Sequence, residues 1–148
     1  MRKSNLAILL PIIFLVIVFA IPIYAASHSF SFDMQFREVN GSKNGRYYSF
    51  DAGNITIKGE ARHYAVPSGS TPKSNVSINV YQKRSLWADR SLGMHKIPLS
   101  TKVTDGFTPW VSFSKTYTNQ PKGKYYIVVS RPVEDGACVR GYGTITGR

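Results

Sequence analysis

The stretch Ser29-Phe-Ser-Phe-Asp-Met-Gln-Phe-Arg37, SFSFDMQFR, decides the fold class. Phe30, Phe32, Met34 and Phe36 recur at every second position, against Ser31, Asp33, Gln35 and Arg37. Successive side chains of a pleated strand point to opposite faces, so the pattern predicts a half-buried strand over residues 29–37. Downstream, NGSKNG (residues 40–45) carries two Asn-Gly steps that tolerate positive φ, which predicts a hairpin turn with RYYSF (46–50) as the return strand. DAGN (51–54) reads as the next turn. NITIKGEARHY (54–64) then puts Ile55, Ile57, Gly59, Ala61 and His63 on one face, the small residues marking close packing or a bend.

The same grammar continues along the chain. AVPSGSTPKS (65–74) is a Pro/Ser/Gly loop, and NVSINVYQ (75–82) alternates Val76, Ile78 and Val80 against Ser77, Asn79 and Tyr81. TPWVSFSKTYT (108–118), KYYIVVSR (124–131) and ACVRGYGTITG (137–147) follow, separated by the turn-rich NQPKGK and PVEDG, so at least seven strands are predicted. Beyond residue 23 no helical apolar period is sustained over three turns. Short antiparallel strands with one apolar face bury it by pairing two sheets or closing a barrel. The expected fold is all-β: a single small antiparallel β-sandwich, Ig-like or jelly-roll-like. PKGKYYIVVSR (121–131) resembles, over about a dozen residues, the Gly-x-Tyr-x-x-x-Val strand near the end of many Ig-like, jelly-roll and pre-peptidase-type sandwich modules, with Gly123, Tyr125 and Val129 in the pattern.

Upstream of the first strand, Arg2 and Lys3 precede an uncharged run from Leu6 to Ala26, the order read by export machinery. Its length also overlaps that of a membrane span. Pro11 and Pro22 bound a short helical core, Ile12 to Ile21, close to the size of a signal's apolar segment, and Ala25, Ala26 and Ser27 supply small residues for cleavage. The expectation is a signal segment over 1–27, cut after Ala25 or Ser27, and a domain over 28–148 that is secreted or otherwise outside the cytoplasm. The alternative is an uncleaved anchor over residues 6–26, the only membrane contact then expected.

The full chain has 19 Lys and Arg against 8 Asp and Glu in 148 residues; losing Arg2 and Lys3 leaves a net charge near +9 on 121 residues. That is one domain's worth of chain. Outside the cytoplasm, nucleic acid is not the expected counterpart of this charge. An anionic envelope polymer, lipid headgroups or an acidic protein are. The one cysteine, Cys138, excludes an internal disulfide and reads as a small strand hydrophobe.

The segment with least strand character, QKRSLWADRSLGMHKIPLS (82–100), places Lys83, Arg84, Arg90 and Lys96 around Trp87. Cations attract anions and the indole offers a flat stacking surface, so these five are the candidate ligand-binding residues. The alternative has Trp87 and Leu92 capping one end of the sandwich. Trp110 is expected on the face opposite Val111 and Phe113, packed under a long loop. His28, His63 and His95 lack zinc-ligand spacing, and Glu134-Asp-Gly136 lacks the alternating oxygens of a calcium loop, so no metal or cofactor is expected. Nucleophile-elbow, dinucleotide and phosphate-loop signatures are absent from the sequence. The reading that follows is a non-catalytic, envelope-associated or secreted binding module. The alternatives are a secreted antimicrobial or toxin-like factor, and a small hydrolase with paired carboxylates in a cleft.

Overall fold

The computed structural model describes residues 25–72 and 75–148. Most of the expected signal segment, residues 1–24, lies outside the described residues. Nine strands follow: β1 Ala26–Met34, β2 Glu38–Asn40, β3 Tyr48–Phe50, β4 Gly53–Tyr64, β5 Val76–Gln82, β6 Arg90–Ile97, β7 Val111–Gln120, β8 Gly123–Ser130 and β9 Cys138–Gly147. All pairings are antiparallel, in a first sheet of order β1-β9-β4-β7 and a second of order β2-β8-β5-β6 with β3 also on β8. The β-sandwich expectation therefore holds. No helix among the described residues is long and apolar enough to cross a membrane.

The inner faces are the alternating residues of each strand. Phe30, Phe32 and Met34 of β1, Ile55, Ile57 and Ala61 of β4, and Val76, Ile78 and Val80 of β5 are all buried in one core. On β9 the inward positions include glycines, and aromatic rings fill the space. Phe30 stands opposite Gly143 and Phe32 opposite Gly141, while Gly59 of β4 lies between Gly143 and Phe113. A Cβ on Gly141 would meet the Phe32 ring at 2.4 Å, and one on Gly59 would meet the Phe113 ring at 2.9 Å. The glycines of GYGTITG thus make room for phenylalanines from neighbouring strands.

Three local expectations are corrected. First, β1 ends at Met34 and Phe36 is 74% exposed. The chain leaves the first sheet at residues 35–37 to enter the second, so the alternation outlasts the strand. Second, NGSKNG does not fold β1 back on itself. β2 and β3 both lie along β8, and residues 41–47 form an excursion that leaves and rejoins the same edge, closed by the Arg46 N–H donating to Gly41 O at 2.8 Å. Third, residues 90–97, within the segment expected to be a loop, form the edge strand β6. Its register against β5 shifts between Asn79 and Tyr81, and Gly93 takes a positive φ of 115°. A bulge splits the strand into two phases, which hides the period of two.

Three tyrosines hold their protons well past the ordinary phenol range. Burial pushes Tyr117 up to about 12, burial followed by the bond to Asp89 does the same for Tyr126, and the hydrogen bond to Asp33 raises Tyr64 to about 12. In the unfolded chain they ionise near 10. Above pH 10 the unfolded state therefore binds fewer protons than the native one, and stability falls as pH climbs from about 10 toward 12. Urea midpoints at pH 8, 9 and 11.5 should be level between the first two and lower at the third; a flat profile to pH 11.5 contradicts this.

Candidate functional site

Two surfaces carry the chemistry. The first is the tip of the β5–β6 hairpin, residues 83–89. Asp89 organises it by accepting the Arg84 N–H at 2.9 Å, the Tyr126 hydroxyl at 3.0 Å and the Lys83 ammonium at 3.3 Å. These donors, the Arg84 N–H first, hold the Asp89 carboxyl below its usual range. The residues between are left to solvent: Leu86 is 88% and Trp87 77% exposed.

Of the five candidates, Lys83, Arg84 and Trp87 share this tip. Arg90 turns away, its Nη2 donating to Gln120 Oε1 of β7 at 2.6 Å. Lys96 stands opposite Ser77, six residues farther along β6 and hence about 20 Å from Arg90. Leu92 packs against the core, as the capping alternative requires, but Trp87 does not.

The second surface is the outer face of the first sheet. Arg62 and Arg140 are direct cross-strand neighbours, an arrangement that by itself repels. Aromatic rings separate and cover them. The Arg62 guanidinium lies 4.4 Å from the Trp110 ring centroid and 4.6 Å from that of Phe107, and Arg140 lies 5.4 Å from Phe107 and 5.0 Å from Tyr64. The Tyr64 hydroxyl donates to the Asp33 carboxylate of β1. Trp110 is on the face opposite Phe113, as expected, but it is partly exposed and edge-to-face on Tyr142 at 5.2 Å rather than hidden under a loop. Sequence reasoning missed Arg62, Phe107 and Arg140. The one legible signal of the two arginines is an outward phase in strands whose inward phase was read; Phe107 lies in the loop before β7 and has no such phase.

Beside this column a groove of about 1020 Å³ crosses all four strands. Its floor follows the register row Phe30–Gly143–Gly59–Phe113, and its walls are the outward residues on either side. One wall carries Ser29, Thr144 and Lys58; the other carries Ser31, Tyr142, Glu60 and Ser112. Glu60 is flanked in register by Tyr142 and Ser112, so both reach it: the Tyr142 hydroxyl donates at 2.6 Å and Ser112 Oγ at 3.2 Å. Arg46 closes one end, its Nη1 donating to Ser31 O at 3.1 Å. Smaller depressions of about 480 and 290 Å³ continue along the same face.

Among the described residues no group of three or more His, Cys, Asp or Glu is placed to hold a metal ion. Cys138 is half-buried at the start of β9, opposite Tyr64.

No protein-family model matches the chain, and no curated protein matches it. Among solved structures it is similar to the VP2 subviral particle of infectious bursal disease virus, with 11% identity, a TM-score of 0.50, and 85% of this chain aligned to 33% of that one. The structure of the Gx strain of the same virus is matched with 12% identity and a TM-score of 0.50, over 84% of this chain and 32% of that one. The chain thus spans about a third of the length of those proteins. At such identity the likeness is one of fold: a jelly-roll-like β-sandwich.

Proposed function

We propose that the chain is a non-catalytic binding module that works outside the cytoplasm and attaches to anionic lipid headgroups through the β5–β6 tip. The observation that carries this reading is the pairing of Leu86 and Trp87, both almost fully exposed, with Lys83 and Arg84 on one braced turn. An indole and a leucine bury apolar area in the headgroup boundary, where tryptophan is enriched. Each Lys or Arg at an anionic surface adds about 1 kcal/mol. The extracytoplasmic part of the reading rests on the basic start, apolar run and small residues ahead of β1. A cut after Ala25 leaves every rung of the β1–β9 ladder in place, whereas one after Ser27 removes the rungs Ala26–Gly147 and Ser27–Thr146.

Co-sedimentation with vesicles of pure phosphatidylcholine and of phosphatidylcholine mixed with phosphatidylglycerol tests the proposal. Binding should need the anionic lipid and weaken with salt. The double variant Leu86→Ala/Trp87→Ala should lose about tenfold or more in affinity, since each side chain is worth roughly 1.5–3 kcal/mol when fully buried. Vesicle binding that the double variant leaves intact, or that high salt leaves intact, sinks it.

A further inference from the structure

We infer that the groove across the outer face of the first sheet is a second binding site, built for a linear glycan bearing carboxylate groups. It does not depend on the membrane reading, because the groove and the hairpin tip share no residue.

The groove runs across the strands, which lie about 4.8 Å apart, a spacing close to the advance of one sugar unit in an extended glycan. Four strands therefore offer about four sugar subsites. Each strand presents outward side chains to the chain above it. Ser29 and Ser31 supply exposed hydroxyls able to donate and accept, and Ser112 an acceptor oxygen whose own hydrogen is on Glu60, the chemistry a polyol demands. Tyr142 supplies an apolar ring for the C–H face of a sugar. It is 49% exposed, yet its position is fixed by the bond to Glu60 and the edge contact with Trp110.

Charge selects the acidic glycan. Lys58 stands in the groove wall, exposed, and its ammonium makes no hydrogen bond or ion pair among the described residues. Arg46 closes one end, and Arg62 and Arg140 lie just beyond Tyr142. The two carboxylates of this face, Glu60 and Asp33, each already accept a tyrosine hydroxyl. What remains is an excess of cations over a row of hydroxyls, complementary to sugar carboxylates spaced along a chain.

Isothermal titration of the protein with hexagalacturonate, and with cellohexaose as the uncharged probe, tests the inference. Hexagalacturonate should bind with a salt-dependent affinity at least about tenfold above that of cellohexaose. Lys58→Met should weaken it about fivefold and Tyr142→Ala about tenfold. The tip variant Leu86→Ala/Trp87→Ala should bind the glycan normally, so failure of the membrane proposal and failure of this one are read separately. Absence of hexagalacturonate binding at millimolar concentration, equal affinity for the two hexamers, or indifference to both groove substitutions overturns the inference. So does self-association of the protein through this face that hexagalacturonate fails to reverse.

Discussion

Gly143→Ala is expected to lower the melting temperature by roughly 10 °C, a loss of about 3 kcal/mol or more from a domain of this size. The added methyl has nowhere to go. A Cβ on Gly143 would stand 2.2 Å from the Lys58 carbonyl oxygen, 2.9 Å from Gly59 Cα and 2.9 Å from the Phe30 ring. Two of those obstacles are backbone of a central strand, so relief requires β4 and β9 to part, which strains the ladder both share with their outer neighbours β1 and β7. Gly45→Ala supplies the contrast. Its φ of +67° makes alanine uncomfortable, but nothing lies within 4 Å of the new atom. That variant should lose only about 1 kcal/mol, the cost of a left-handed alanine. Thermal melts of both variants decide the matter: a Gly143→Ala protein melting within a few degrees of Gly45→Ala would mean that β4 and β9 do not approach as closely as their register implies.

The packing at Gly143 was half legible. Alternation in Phe30 and Phe32, and the run Ile55, Ile57, Gly59, Ala61, fixes which side chains point inward, because burial imposes the period of two. The sequence around Gly59 even signals close approach. What alternation cannot encode is which strand lies beside which. Phe30 covers Gly143 across more than a hundred residues of chain, a pairing that arises from sheet topology alone. The candidate surfaces divide the same way. Lys83, Arg84 and Trp87 lie within five residues and so were visible as a cluster, whereas the groove draws Ser31, Lys58, Ser112 and Tyr142 from four strands. Arg62, Phe107 and Arg140 are likewise distant in sequence and meet only when β4 and β9 pair and the loop before β7 folds over them. Phe36 shows the opposite failure: its phase is right for a buried residue, but the chain has already turned toward the second sheet.

Arg131→Met is expected to cost about 3–5 kcal/mol, a large share of the roughly 5–15 kcal/mol that holds a domain folded. Arg131 follows β8 directly and is only 5% exposed. Its guanidinium bridges two connections that run between the sheets. Nε donates to Phe36 O at 3.1 Å and Nη2 to Gln35 O at 3.2 Å on the β1–β2 crossing, while Nη1 donates to the Ala137 carbonyl and, at 3.3 Å, to Asp135 Oδ1 ahead of β9. Methionine fills the volume but donates nothing, leaving three carbonyl oxygens without the guanidinium and the Asp135 carboxylate without its countercharge, while the Ala137 N–H still donates to it at 3.2 Å. The sequence offered no hint, since PVEDG reads as an ordinary turn. Arg131→Lys keeps the charge without the planar fork and should lose about 2 kcal/mol, because one ammonium cannot serve both connections. Arg131→Met/Asp135→Asn should regain part of what Arg131→Met loses, since the charge stranded by the single change is gone. Urea denaturation of the three variants separates the causes. If Arg131→Lys unfolds like the parent, charge alone holds the connections; if the double variant is no better than Arg131→Met, the loss lies in the carbonyls of Gln35, Phe36 and Ala137 and not in the buried ion pair.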